Sequence, residues 1–548
     1  MSRVSFLVAA FLLVCGAALA VPADVAPEVV SAPMMVSPDT YDAAGEAQRM
    51  ADLHQVLVAD RAAGAEVNLG PLSAAEQQRL DDALNASERR VLVGVDRPVG
   101  AIVDLAVVNG LSAWEANASR VGGISTRFDG ALVWSGTFRS PGATAVRAHI
   151  ADVDLPASAA IYVYNEVGQA FGPYLGSGIN GNNEIWTNTV AGDTITVQLE
   201  LAPGYTVEDR FASYFEVASI GHMGENFQLA RWESNHPDRK SFCTGSSGPV
   251  NASCIYNASC ASIPSGIQPA EYGIAEMLFA SGGSYYICTG GLLNDTAGSG
   301  TAYFLTANHC ISTSSEASSL ETYWDFTVPC GTTNCSYAWA GGRATPGGSV
   351  LSTSSTSDYS LLLLPSIPGG RTFLGWTSAA VANSNGTTLY RISHPSGAPQ
   401  AYSTHTVSTS APTCSSWPRG NWIYERDSYG ATEGGSSGSP IMNASAQVVG
   451  QLSGSCGTNL NNTCDNVNNA TVDGAFANYY SSVSSWLNPG SCTPTTEVCD
   501  GVDNDCDGEI DEGGVCDPTC LPAGSWCTSN SECCSNRCRG WWIFRTCR

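Results

Sequence analysis

Lysine is almost missing: Lys240 is the single one in 548 residues, and 24 basic side chains face 50 acidic ones. A formal charge of -26 excludes nucleic acid as a partner, because phosphate binding needs clustered Lys and Arg. Beyond residue 20 no apolar run reaches the roughly 18 residues of a membrane span. The first twenty residues differ. Arg3 is followed by an apolar stretch, 4–19, that ends in Ala18-Leu19-Ala20, the pattern of a secretory signal (1–20) cut after Ala20. An exported, extracellular protein is expected.

Cysteine is absent from 21–240 and then abundant, with ten between Cys243 and Cys464 and ten between Cys492 and Cys547. Even numbers in an exported chain argue for disulfides and against zinc. The same boundary divides the charge. Residues 21–240 hold 28 acidic and 14 basic side chains, and 241–490 hold 12 and 5. A chain this long is expected to form several domains.

The first, 21–240, reads as an α+β, sandwich-like prodomain. Helices are expected over 42–63 and 74–84, the second opened by the capping box Ser73-x-x-Glu76. Strands are expected where Ile195, Val197, Leu199 and Leu201 alternate with polar residues, and over 161–164. The second, 241–490, has short apolar runs between turns, an all-β barrel pattern. Tyr480, Val483, Trp486 and Leu487 predict one closing helix. Two small modules, 491–516 and 517–548, complete a multidomain chain.

Histidine is scarce as well. Only His309, His394 and His405 lie between 241 and 490, so few residues can serve as a general base. His309 ends an apolar strand, Tyr303-Phe304-Leu305-Thr306, at a polar turn. His394 precedes Pro395 and reads as a loop residue, and His405 lies in a Thr-rich stretch and is expected at the surface. Asp358 heads the run Tyr359 to Leu364, where a buried carboxylate needs a partner, and an imidazole N–H would provide it. Gly434-Gly435-Ser436-Ser437-Gly438-Ser439-Pro440 puts a hydroxyl in a tight glycine turn. There the N–H groups of Gly435 and Ser437 can converge on an oxyanion.

Thr306-Ala307-x-His309-Cys310, Asp358-x-x-Leu361-Leu362 and Gly435-x-Ser437-Gly438-x-Pro440 resemble chymotrypsin-like serine proteases. Cys288-Thr289-Gly290, Tyr323-Trp324, Thr432-Glu433 and Gly450-Gln451-Leu452 make the resemblance closest to bacterial lysyl endopeptidases. It implies a double β-barrel, Ser437 as nucleophile, His309 as base and Asp358 as the residue orienting the base. It further implies no catalytic cofactor, Glu433 near the substrate, and peptide binding along Ser453, Gly454 and Ser455. A Cys288–Cys310 bridge follows too, with Cys254 and Cys260 paired among Cys330, Cys335, Cys456 and Cys464, and Cys243 and Cys414 as extras. Ser436 stands where many trypsin-like enzymes have Asp, so activation by a new amino terminus paired to that acid is not expected.

Specificity stays open. The ungapped match puts Ala470 where lysyl endopeptidases hold the acid of the first pocket, which points to a small or neutral residue before the cut. Asp473 fills that place only with a gap. Lys240, at the edge of the cysteine-rich domain, points instead to a lysine-specific enzyme releasing its own prodomain there.

Asp503, Asp505, Asp507, Glu509 and Asp511 offer oxygen ligands at alternating positions around Gly508, the arrangement that calcium requires. The spacing of Cys520, Cys527, Cys533, Cys534, Cys538 and Cys547 resembles an inhibitor cystine knot. The resemblance implies the bridges Cys520–Cys534, Cys527–Cys538 and Cys533–Cys547. Trp541, Trp542, Ile543 and Phe544 give that module an apolar face for a cell wall, carbohydrate or protein surface. The expected partners are thus a peptide substrate, the chain's own propeptide and that surface. Two alternatives compete: a surface-binding protein on an inactive protease scaffold, and a processing unit for the knot.

Overall fold

The computed structural model describes residues 28–37, 40, 42–83, 90–108, 111–112, 121–225, 227, 252–330, 343–489, 527, 538–539 and 546–547. Ala20, Lys240, Cys243, Cys335, the calcium ligands at 503–511 and the knot bridges lie outside these residues. Of the knot cysteines, Cys527, Cys538 and Cys547 are described: Cys527 is disulfide-bonded, and Cys538 pairs with Cys547 in a short antiparallel ladder.

Helix α1 (Ala43–Asp60) starts at Asp42, whose carboxylate accepts the Gly45 N–H. Helix α2 (Ala74–Ala83) starts with the expected box: Ser73 N–H donates to Glu76 and Glu76 N–H to Ser73. The strands that follow are β1 (Val91–Asp104), β2 (Leu132–Arg139), β3 (Ala145–Asp154), β4 (Ala159–Tyr164), β5 (Thr194–Leu201) and β6 (Tyr214–Met223). One sheet pairs β4, β5 and β2, another pairs β3, β6 and β1. Trp134, Phe138, Ile161, Val197, Val146 and Phe215 fill the space between them. The alternation in β5 is that of a half-exposed strand, yet Thr196 and Gln198 are buried too. Gln198 accepts from Ser135 and Tyr164, so the polar face is covered rather than wet.

The cysteine-rich half supplies β7 (Ile274–Ser281), β8 (Ser284–Leu293), β9 (Tyr303–Thr306), β10 (Glu321–Trp324), β11 (Ser349–Ser354) and β12 (Tyr359–Leu363). These form the first barrel-like sheet. The second comprises β13 (Thr388–Ser393), β14 (Ala401–Val407), β15 (Trp422–Tyr429), β16 (Pro440–Met442), β17 (Gln447–Gly457) and β18 (Asn469–Ala475). It closes on itself because β18 pairs with both β15 and β17. The architecture is therefore the all-β double barrel. The closing helix is broken into Phe476–Tyr479, a 3-10 turn over Tyr480–Ser482, and Ser484–Leu487.

Composition changes at residue 240, but the sheet runs across that boundary. Val91, Leu92, Gly94 and Val95 of β1 pair with Ile287, Tyr286, Tyr285 and Ser284 of β8. Val93, Met223 and Phe227 pack against Leu278, Tyr285 and Phe326. Within this joint Glu321 is fully buried, a placement that costs several kcal/mol per ion unless the charge is bonded. It accepts from Asn188 Nδ2 (3.0 Å), Thr189 N (3.1 Å) and Thr189 Oγ1 (2.7 Å) of the N-terminal half, and Tyr323 OH (2.7 Å). Arg147, also fully buried, lies 3.9 Å away and donates to Ser319 O at 2.6 Å.

Two histidines of the N-terminal half link this fold to pH. His149 stacks on Trp186 with ring centroids 3.8 Å apart, and His222 bonds Ser140. Burial, reinforced by Arg147 and Arg97 respectively, pushes both pKa values down to about 4. The unfolded chain takes up these protons near the ordinary 6.5 and the folded chain only near 4. Between those values the unfolded state holds more protons, so stability falls as pH drops through the window. Urea midpoints at pH 7 and pH 5 should differ in that sense, and by less in the His149→Asn, His222→Asn double variant.

Candidate active site

Strands β9 and β12 run antiparallel, with Thr306 opposite Ser360, so the residues just beyond their paired ends meet. His309 and Asp358 are those residues. His309 Nδ1 lies 2.7 Å from Asp358 Oδ2, and His309 N–H donates to Asp358 Oδ1 at 2.9 Å. This double contact fixes the ring and leaves Nε2, buried and without a hydrogen bond, as the free nitrogen. Asp358 is 4% exposed and has φ of 52°, a left-handed conformation that Asp tolerates better than most residues. Asn308 N–H donates to its carbonyl, and Gln451 Nε2 donates to Ser357 O and Asp358 O at 3.0 Å each. Gln451 belongs to β17, so one amide ties the acid of the first barrel to the second. Gly450-Gln451-Leu452 was part of the resemblance, but only the assembled barrels show what the amide does.

Ser437 reaches the same place from β16. Thr289 N–H donates to Ser437 O at 2.8 Å, and Thr289 follows Cys288, which is bridged to Cys310 next to His309. A ring nitrogen of His309 and the sulfurs of Cys288 and Cys310 all lie within 4.8 Å of one another. Bridged sulfurs are poor metal ligands, so this grouping pins the histidine loop to the serine turn. The expected Cys288–Cys310 bridge is present.

The serine turn needs two left-handed residues, Gly435 (φ 88°) and Gly438 (φ 83°). A Cβ on Gly438 would stand 2.2 Å from Thr306 Oγ1 and 2.5 Å from Thr289 O, so no other residue fits. The Gly435 carbonyl accepts from Thr289 Oγ1 at 2.8 Å, which points it away from the turn's mouth. Its N–H donates to no group among the described residues. Ser436 is buried, its hydroxyl bonded to Ser393 Oγ (3.0 Å) and the Glu433 N–H. Glu433 accepts from Ala252 N–H (2.6 Å) and Ser396 Oγ (3.1 Å). The turn is thus held by internal hydrogen bonds where trypsin-like enzymes use an acid at position 436.

Ser453, Gly454 and Ser455 lie on β17, opposite Val472 and Thr471 of β18. Ala470 is buried on the far face of β18 against Trp422, Cys456 and Val472. Asp473 faces the barrel interior, where Arg391 binds both its oxygens at 2.7 and 2.8 Å. Burial and the adjacent Asp473 push Glu425, in the same interior, well above the carboxylate range.

His405 corrects the expectation of a surface residue. It is fully buried, with Nδ1 2.8 Å from Asp427 Oδ1 and Nε2 2.8 Å from Ser403 Oγ. Its Thr-rich stretch is a barrel strand whose interior face holds charge. His394 lies, as expected, in the loop just before a 3-10 turn (Pro395–Gly397), but it is buried and stacked on Phe326, and burial lowers its pKa to about 4. Cys254 bridges Cys464 and Cys260 bridges Cys330, both within the expected set. Cys414 is not an extra: it bridges Cys456, because β17 passes beside the loop before β15.

Residues 245–471 match the family described as Lysyl endopeptidase, C-terminal domain. A curated relative, the lysyl endopeptidase of Pseudomonas aeruginosa, is 29% identical over 294 residues, which cover 51% of this chain and 58% of the relative. The chain therefore spans less than two thirds of that relative's length. Solved structures overlap weakly. A serine endoprotease from Yersinia pestis gives TM-score 0.28 at 13% identity over 42% of this chain and 69% of its own. The active form of the Rv3671c protease from M. tuberculosis gives 0.29 at 13% over 50% and 99%. Overlaps this loose add nothing to the architecture described above. The matched residues hold His309, Asp358, Gly435 and Ser437 together, and over them the chain is similar to the lysyl endopeptidases.

Proposed function

We propose that the chain is a secreted serine endopeptidase made as a proprotein. The observation that carries this reading is the His309–Asp358 pair at 2.7 Å with the free Nε2 beside the Ser437 turn. In that reading His309 Nε2 takes the Ser437 proton as Oγ attacks the peptide carbonyl, and Asp358 holds the tautomer and steadies the imidazolium. The N–H groups of Gly435 and Ser437 receive the oxyanion. The proton then passes from His309 to the leaving amine, the C–N bond breaks and an acyl-enzyme remains. Water, activated by the same nitrogen, releases the acid. In the static geometry Nε2 has no hydrogen bond, as catalytic contacts often tighten only when substrate binds.

The N-terminal half, 21–240, is on this reading a prodomain cut from the protease after Lys240. Its hold on Glu321 and β8 would outlast the cut, since separation strips a buried carboxylate of three donors. Among the described residues no helix is long and apolar enough to cross a membrane, in keeping with export. Calcium binding at 503–511 and a surface-binding knot at 517–548 belong to the same proposal as C-terminal accessories. A fluorophosphonate probe tests the core of it: the secreted protein should be labelled and Ser437→Ala should not, whereas equal labelling of both would refute the assignment.

A further inference from the structure

Residues 28–37 belong to the N-terminal half, yet their hydrogen bonds run to the cysteine-rich half. Met35 and Val36 pair antiparallel with Phe373 and Thr372. Ser37 N–H donates to Arg371 O (2.7 Å) and Ser31 N–H to Trp376 O (3.1 Å), while Ser31 Oγ accepts the Trp376 N–H (2.9 Å). Ser378 N–H donates to Val29 O (2.9 Å), and Val29 N–H returns to Ser378 Oγ (2.8 Å). The loop after β8 adds Asp295 O, which accepts the Ala32 N–H (3.2 Å), and Asn294 Nδ2, which donates to Pro33 O (2.8 Å). Pro33 has no N–H, so only its carbonyl needs a partner there.

Residues 371–378 lead from the first barrel into the second, and Gly375 and Trp376 already pair with Gln447 and Val448 of β17. Side chains of the N-terminal segment reach both cores. Val29 and Met34 pack against the cluster that includes Trp376 and Val448, and Met35 against the one that includes Leu292 and Phe304. The backbones approach at Gly375, where a Cβ would stand 3.4 Å from Met34 N and Ser31 Oγ, so a longer side chain would take the segment's place. The Glu321 joint, by contrast, holds the N-terminal half to the first barrel. An extended segment bonded along a strand edge, its apolar side chains seated beside that edge, has the form of a peptide ligand.

We propose that Asp295 and 371–378 form a second peptide site, made of none of the site residues named above, which binds an extended, mostly apolar segment and is filled by 28–37 of the same chain. After a cut at residue 240 that occupant belongs to a separate chain, held to the cysteine-rich half by these bonds. The inference goes beyond the endopeptidase reading and is tested in Ser437→Ala protein, where it does not depend on turnover.

A chain lacking only residues 21–37 presents the empty site. A synthetic peptide of 28–37, labelled at its end, should bind this chain in fluorescence anisotropy and should not bind the undeleted one, whose site is filled. Ser31→Ala in the peptide should weaken binding about tenfold, because the buried Trp376 N–H loses its acceptor. Gly375→Leu in the deleted chain should abolish binding. A folded deleted chain that ignores the peptide overturns the site, as does equal binding to both chains or binding that Gly375→Leu leaves intact. A second measurement keeps the full chain and covers misfolding of the deleted one. A specific endoprotease site inserted between Ser37 and Asp42 lets the segment be severed in the folded protein. The severed segment should co-elute with the rest on gel filtration, and Ser31→Pro, which removes the N–H to Trp376 O, should release it. Release of the unsubstituted segment overturns the proposal.

Discussion

Ser437→Ala should lower kcat on any peptide substrate by about 10⁴- to 10⁶-fold, the scale on which removal of a triad nucleophile acts. The geometry explains why so little would remain. With the hydroxyl gone, His309 Nε2 has no proton to take, and the Asp358 contact at 2.7 Å orients a base without a nucleophile. The Gly435 N–H and the backbone of the turn survive the change, so peptide binding should persist and KM should move little. Single-turnover kinetics with a chromogenic peptide checks this. Asp358→Asn should cost about 10⁴-fold by presenting the wrong tautomer, with the loss shrinking at alkaline pH if the role is electrostatic. A fall in KM alone, with kcat preserved in Ser437→Ala, would show that the chemistry lies elsewhere.

The second large effect belongs to stability. Arg391 is fully buried, binds both oxygens of Asp473 and donates to Ser439 O at 2.9 Å. Arg391→Met removes the cation and leaves Asp473 uncompensated beside Glu425, whose carboxyl is already pushed up by burial and by that same charge. Breaking a buried pair in this way costs about 3–5 kcal/mol. The midpoint of urea denaturation should fall accordingly. Arg391→Met combined with Asp473→Leu should recover much of the loss, because an apolar pair of similar volume avoids desolvating either charge. Activity should follow stability here, since Ser439 is two residues from Ser437 and loses its anchor. A double variant no more stable than the single one would mean that Arg391 acts by packing rather than by charge.

How much of this was legible beforehand follows from the range of each signal. His309, Asp358 and Ser437 each sit in a local pattern, a strand end or a glycine turn, and their order along the chain added the rest. The capping box at Ser73 and Glu76 was equally local and is present. The closing helix was legible in kind but not in form, because apolar spacing at 480–487 does not disclose the 3-10 turn that splits it. His405 was misplaced at the surface because an interior barrel face is assumed apolar, and this one is built of Arg391, Glu425, Asp427 and Asp473. Arg391 and Asp473 reach each other there from strands far apart in sequence, and Asp427 meets His405 across the neighbouring strand.

The sequence by itself determined the all-β half, the glycine turn around Ser437 and the scarcity of candidate bases, and its resemblance to lysyl endopeptidases implied the Cys288–Cys310 bridge. Those depend on residues close together or on motifs of fixed spacing. Tertiary structure alone decided that Cys414 bridges Cys456, that Gln451 secures Asp358, and that β1 extends the first barrel to cover Glu321. It also decided that Thr471, one residue from the position first aligned, faces Asp427. Strand register is the physical reason, because neighbours along a strand point to opposite faces, so a shift of one residue decides which side chain reaches Asp427.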